Sequence, residues 1–280
     1  MSLQWYPGHM TKARRELAAL LPSQDVVIEV LDARMPAASA NPVLTELRGQ
    51  TPCLKVLARS DLADPEVTRA WIGHLEAPAG ERRGDVVAVA TTTERPAEIK
   101  KRIADGCRRL GLQPAPGRRV RALVAGIPNV GKSTLINTLA GRAIAAVGDK
   151  PAVTKTQQQI LLDSGLLLTD SPGLLWPDIE DEAVAFRIAL TGSIPDTAID
   201  YVSIARFGAG YLLARYPALV TARYKLAAVP ATADALLAEI GRRRGALQRG
   251  GTIDLHKASE ILVHEVRAGL LGRLSLEAPG

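Results

Sequence analysis

Residues 126 to 134 read Gly-Ile-Pro-Asn-Val-Gly-Lys-Ser-Thr. Two glycines spaced around a lysine and a hydroxyl suit one task, holding phosphate. Gly126 and Gly131 let the backbone curl so that successive N–H groups face phosphate oxygens, and the start of a helix adds a favourable dipole. Lys132 reaches the β- and γ-phosphates, and Ser133 supplies an oxygen ligand to Mg2+. Asn129, Val130 and Thr134 complete the loop. Farther on, LLLTDSPG offers Asp170 to the Mg2+ shell and the backbone N–H of Gly173 to the γ-phosphate. Asp-Ser-Pro-Gly is by itself also a good turn, and its place after the phosphate loop favours the metal role. Between them GDKPAVTKTQQQ carries Thr154, a switch residue that can close over the metal, with Thr156 as its competitor.

A guanine presents N1–H and an exocyclic amine side by side, and one carboxylate accepts both, whereas adenine turns an acceptor toward it. No segment downstream of Gly173 supplies that carboxylate at the end of a strand. Upstream, Ala58-Arg59-Ser60-Asp61 follows the apolar run LKVL and does so. The order of parts is therefore permuted, with the base-reading segment ahead of the phosphate loop and Asp61 as the guanine selector.

These residues need a sheet to hold them. DVVIEVLD (25 to 32), PCLKVLA (52 to 58), DVVAVAT (85 to 91) and VRALVAG (120 to 126) read as buried parallel strands. Helical patterns at 64 to 76 and 95 to 110 alternate with them, and QPAPGR is a Pro/Gly linker. QQQILLDSGLLLTDSPG reads as two strands joined at Asp163 to Gly165. After about 178 alanine and leucine at helical spacing take over, so the boundaries expected are 1–178 for an α/β domain and 179–280 for an all-helical one. Thr232 or Asp234 is an expected N-cap and Gly269 an expected C-terminal glycine.

Composition narrows the classes. No uncharged apolar run approaches the roughly 18 residues of a membrane span. The start of the chain lacks a secretory pattern, and Cys53 and Cys107 lack metal spacing, so cytoplasmic residence without disulfides is expected. A net charge of +6 permits an anionic partner. The basic clusters at Lys100 to Arg102, Arg118 to Arg121 and Arg242 to Arg244 are equally read as solvated helix faces. His256 and His264 share a helix face about 12 Å apart along the axis, too far for one ion. Trp71 and Trp176 read as packing residues.

With the permuted order established, the chain resembles the circularly permuted GTPases, specifically the ribosome biogenesis GTPase A family, over nearly its whole length. The family's opening motif stands here as Trp5-Tyr6-Pro7-Gly8-His9-Met10-Thr11-Lys12-Ala13. Its D-A-R-x-P motif is similar to Asp32 through Pro42, with one residue more between Pro36 and Ser39, and its closing motif is similar to Arg267 through Arg273. The resemblance implies a P-loop domain with a mostly parallel sheet flanked by helices, followed by an all-α domain that touches ribosomal RNA. It also implies GTP and GDP as ligands with Mg2+, the large ribosomal subunit precursor as partner, and a chain monomeric away from it. Asn129 is the residue that related potassium-dependent GTPases use for K+, and it is as readily a loop-stabilising Asn.

Departures from the family pattern bear on function. Ala58 and Arg59 replace Asn and Lys of Asn-Lys-x-Asp, so one guanine contact is lost, at about fivefold in affinity for one neutral hydrogen bond. The second base loop is Ala90-Thr91-Thr92, and Ala152 replaces the switch glycine. No glutamine follows Gly173, where Leu174 and Leu175 stand, so slow intrinsic hydrolysis is expected. The resemblance assigns the missing polar group to His9, which is equally a turn histidine heading MTKARRELAALL. Hydrolysis stimulated by K+ and by the ribosomal particle is the expectation. Two rivals stand beside it, a nucleotide-dependent ribosome- or RNA-binding protein with little turnover and a P-loop phosphotransferase.

Overall fold

The computed structural model describes residues 8–77, 86–92, 95–143, 159–176 and 179–280, with the side chains of 8–10 outside that set. Six strands form one sheet: β1 (Val26–Asp32), β2 (Cys53–Ala58), β3 (Val86–Ala90), β4 (Val120–Ala125), β5 (Gln159–Leu161) and β6 (Leu166–Asp170). Their spatial order is β3-β2-β1-β4-β6-β5. All neighbours are parallel except the β5–β6 hairpin at the edge. The four β-branched runs fall in β1 to β4, and the hairpin turns at Asp163 to Gly165 as its sequence predicts.

β1 is central and every one of its residues is buried. Glu29 lies in the middle of it, where an unpaired carboxylate would be costly. The parallel register sets Glu29 opposite Lys55, and Lys55 Nζ donates to Glu29 Oε2 at 2.7 Å. Helix α1 (Gly8–Leu20) precedes β1, and the strands are connected by α2 (Pro36–Ser39), α3 (Pro42–Arg48), α4 (Pro65–Glu76), α5 (Pro96–Arg109) and α6 (Lys132–Ala140). Proline opens α3, α4 and α5, where its missing N–H costs nothing, and Asn41 and Asp64 accept first-turn N–H groups as caps. Trp71 of α4 packs with Ala33, Leu57, Ala63, Ala88 and Ala90.

The chain divides into two compact units. Glu277–Gly280 belong with the sheet unit, whereas the sequence reading ran the helical domain to 280. Within the sheet unit the Glu277 carboxylate accepts the N–H groups of Ala37 and Ala38, and Trp71 Nε1 donates to the Glu277 carbonyl at 3.4 Å.

The other unit, Ile179–Leu276, holds α7 (Glu182–Leu190), α8 (Tyr201–Arg215), α9 (Pro217–Tyr224), α10 (Ala233–Arg244) and α11 (Leu255–Arg267). Thr232 caps α10 through the Ala235 N–H. Arg267 at the end of α11 ties down the last carbonyls of α7, donating to Ala189 O at 2.9 Å and Leu190 O at 3.3 Å while pairing with Asp196 at 2.8 Å. Gly269 follows with φ +68°, the left-handed turn that ends the helix. His256 and His264 are exposed, and their rings lie 5.8 and 5.9 Å from the Tyr201 ring. No helix among the described residues is long and apolar enough to cross a membrane.

Candidate functional site

The strand order reverses beside β1: β2 and β3 extend to one side of it, β4, β6 and β5 to the other. Ligands of open α/β sheets sit outside the carboxyl ends of strands at such a reversal. Three of the predicted segments converge there, at the ends of β2, β4 and β6.

The phosphate loop leaves β4 at Gly126, whose φ is +152°. A Cβ at Gly126 would stand 2.5 Å from the Val30 carbonyl oxygen, so only glycine lets β4 turn this close to β1. Asn129 (φ +55°) and Gly131 (φ +110°) continue the curl, and α6 starts at Lys132. Lys132 is buried and donates from Nζ to Gly126 O at 3.1 Å and Ile127 O at 2.8 Å. Burial pushes its pKa down to about 8, against the pull of the Asp170 carboxylate. A buried ammonium held mainly by carbonyls is a natural counterion for phosphate.

β2 ends at Ala58, and Arg59 then takes a left-handed conformation with φ +57°. Its guanidinium turns back over the phosphate loop, Nη2 donating to Asn129 O at 2.7 Å and Nη1 to Asp32 Oδ2 at 3.3 Å. Segment 58 to 61 and the loop after β4, joined through Arg59 and Asn129 across 70 residues of sequence, are thus in direct contact. Ser60 Oγ donates to Thr91 O at 2.9 Å, which ties the turn after β2 to the end of β3. Asp61 is half-buried beside this junction, and its charge is felt by the Arg34 guanidinium.

Asp32 at the end of β1 organises the junction. Arg34 grips it with Nε to Oδ1 at 2.9 Å and Nη2 to Oδ2 at 2.8 Å, both side chains being buried. Burial works to raise the Asp32 pKa, yet Arg34 and Arg59 together bring it down to about 2. The Asp-Ala-Arg sequence is therefore a buried ion pair under the site, a role its residue types alone do not announce.

On the other side of the loop, β6 delivers Asp170, buried, and Ser171, whose Oγ donates to Val124 O at 2.7 Å. Gly173 lies against the phosphate loop: a Cβ there would meet Pro128 Cα at 2.8 Å and Lys132 Nζ at 3.2 Å. Leu174 N–H donates to Gly126 O at 3.3 Å. Ser133 stands in the first turn of α6 and Asp170 at the end of β6, and both carry the hard oxygen donors that Mg2+ takes.

Sequence comparisons agree with this geometry. Residues 121–200 match the family model described as 50S ribosome-binding GTPase, a match that begins on β4 and leaves out the relocated segment 58 to 61. Ribosome biogenesis GTPase A of Bacillus pumilus is 41% identical over 286 residues, covering 100% of this chain and 99% of that protein. The chain belongs to the ribosome biogenesis GTPase A family. The same-named protein of Thermotoga maritima is 32% identical over 99% of this chain and 95% of its own length. Among solved structures, GNP-bound YlqF from T. maritima superposes with a TM-score of 0.67 at 27% identity, covering 96% of this chain and 98% of that one. A GDP-bound structure of TM YlqF gives 0.68 at 26% identity, covering 95% and 99%.

Of the residues that the sequence nominates, Ala58, Arg59, Ser60, Asp61, Asn129, Val130, Gly131, Lys132, Ser133, Thr134, Asp170 and Gly173 all lie at or just after the ends of β2, β4 and β6. Thr154, Thr156 and Ala152 lie outside the described residues, as does the side chain of His9, which falls in the first turn of α1. Leu174 and Leu175 are buried. Sequence reasoning left Glu29, Asp32, Arg34, Asn41 and Glu277 without roles. Asp32, Arg34 and Asn41 fall in the stretch that resembles the family's D-A-R-x-P motif, and the Asn41-Pro42 step, a cap followed by a first-turn proline, adds a local signal.

Proposed function

We propose that this protein is a GTPase that serves assembly of the large ribosomal subunit, binding GTP across the ends of β2, β4 and β6. The observation that carries the reading is the Arg59 bridge to Asn129 O, which supports a guanine-reading role for 58 to 61 by tying that segment to the phosphate loop. In this reading Asp61 accepts the guanine N1–H and amine, and Ala58 leaves one base contact unmade. Lys132 exchanges its two loop carbonyls for phosphate oxygens. Ser133, Asp170 and, after it closes, Thr154 are the residues that would hold Mg2+, which when bound supplies charge neutralisation of the phosphates. The Gly173 N–H faces the γ-phosphate.

Leu174 and Leu175 offer no polar group to orient water, so intrinsic hydrolysis is slow. His9 supplies that group, the ribosomal particle stimulates the step, and K+ bound at Asn129 assists it. The helical unit touches ribosomal RNA, with exposed Arg242 and Arg243 of α10 among its contacts. The protein is cytoplasmic and monomeric off the ribosome. The buried leucines also favour a second reading, a nucleotide-dependent binding protein with little turnover.

Nucleotide titrations of the full chain and of Asp61→Asn test the first step: guanine is preferred over adenine, and the preference disappears in the variant. A preference indifferent to Asp61 refutes the relocated base site. Single-turnover GTP cleavage with purified large-subunit particles, in K+ and in Na+, then separates the two readings. Fast cleavage with particles excludes the little-turnover reading, and equal rates in the two salts remove the K+ role.

A further inference from the structure

We propose that Asn41 is a positioning residue that clamps the segment following Gly173, and so sets the rate of GTP cleavage without contributing to nucleotide affinity. This inference rests on the GTPase reading for its kinetic consequence only.

The Asn41 side chain is buried, and its backbone N–H and both side-chain polar atoms have partners. Its N–H donates to Glu29 Oε1 at 3.2 Å, and Glu29 is itself fixed by Lys55. Its Oδ1 accepts the Val43 N–H at 2.9 Å and caps α3. Its Nδ2 donates to the Leu174 carbonyl at 2.7 Å, across 133 residues of sequence. The cap needs only an oxygen, which serine or aspartate supplies equally well. The amide nitrogen is therefore the part of the side chain that the helix does not require, and it is spent on Leu174.

Leu174 is held from both sides, since its own N–H donates to Gly126 O in the phosphate loop. Its side chain is buried, and Gly173 just before it lies within van der Waals reach of Pro128 and close to Lys132 Nζ. A shift of about 1 Å in this segment moves the Gly173 N–H relative to the phosphates, a displacement that costs catalysis far more than binding. The hydrogen bonds of the Asn41 side chain go to the Leu174 carbonyl and the Val43 N–H, not to the phosphate loop or to segment 58 to 61, so its loss leaves the ground-state nucleotide contacts in place.

The test uses Asn41→Ser, which keeps a capping oxygen and loses the donor, beside Asn41→Asp, which keeps shape and cap and turns an acceptor toward the Leu174 carbonyl. Amide exchange of Leu174 and Leu175 is read together with GDP affinity and single-turnover GTP cleavage. For Asn41→Ser, exchange at these two amides rises about fivefold and cleavage falls about fivefold, the size of one neutral hydrogen bond, while GDP affinity stays within twofold. Asn41→Asp exceeds both changes. Unaltered exchange overturns the proposal, and so does a loss of cleavage matched by an equal loss of GDP affinity. Should both variants fail to fold, the parent chain decides: a Leu174 amide that exchanges as fast as an open loop in the nucleotide-free and GDP-bound protein refutes the clamp. Absence of GTP cleavage in the parent chain sinks the GTPase reading, and exchange still decides the clamp.

Discussion

Removing the Arg59 guanidinium with Arg59→Ala tests how the permuted halves of the site are joined. Two contacts are lost, Nη2 to Asn129 O at 2.7 Å and Nη1 to Asp32 Oδ2 at 3.3 Å. A hydrogen bond from a charged donor contributes about 1.5 to 3 kcal/mol, and the side chain's 34% exposure places this one at the low end. Asp32 keeps both bonds to Arg34, so no buried carboxylate is left unpaired and the melting temperature changes little. The left-handed backbone at 59 strains arginine and alanine alike, which removes conformation as a confounding cause. About 1.5 kcal/mol is therefore withdrawn from the ordering of the phosphate loop, and GDP and a slow GTP analogue should each bind about tenfold more weakly. Arg59→Lys, whose single ammonium reaches Asn129 O or Asp32 but not both, should fall between, about threefold weaker. Fluorescent-nucleotide titration at fixed salt reads all three proteins. Affinity of Arg59→Ala within twofold of the parent would refute the bridge as the link between the segments, and an Arg59→Lys variant that binds as tightly as the parent would show that guanidinium geometry is irrelevant.

Lys132 carries a pH signature. Its pKa near 8 in the folded chain lies below the ordinary 10.5, so between those values the unfolded chain holds more protons and the nucleotide-free protein grows more stable as pH rises. GDP favours the ammonium, so its affinity should fall by up to tenfold per pH unit above about 8. Urea melts and GDP titrations from pH 7 to 10 check both trends, and Lys132→Met should abolish both. Asp32 acts oppositely: its stabilisation is complete above its ordinary 3.8 and is lost as pH falls toward about 2, an acid-unfolding step that Arg34→Met should remove. Gly173→Ala sets a methyl against Pro128 backbone at 2.8 Å, which cannot yield as a side chain would. A cost of about 1 to 3 kcal/mol and a collapse of the preference for GTP analogue over GDP are expected in denaturation and binding assays.

The strands were legible because a parallel sheet buried on both faces needs continuous β-branched runs, and β1 to β4 are such runs. The phosphate loop was legible because its glycines answer a local need, the approach of Val30 O to Gly126. Segment 58 to 61 was nominated by elimination, because no Asn-Lys-x-Asp-like segment follows Gly173. The bridge that Arg59 makes could not be read, because its left-handed turn is set by where Asp32 and Asn129 stand in space, not by its neighbours in sequence. Glu29 was hidden for the same reason: within DVVIEVLD nothing indicates that Lys55 falls opposite it. Asn41 likewise shows its cap in sequence and conceals its bond to Leu174.

The return of Glu277 to the Ala37 and Ala38 N–H groups orders events during synthesis. A chain emerging from its amino end makes β1 and the Asp32 to Ser39 segment early, yet the carboxylate that completes this segment follows all of 179–276. The sheet unit is therefore discontinuous in time as well as in sequence. Its last native contact can form only after the intervening helices have left the translating ribosome.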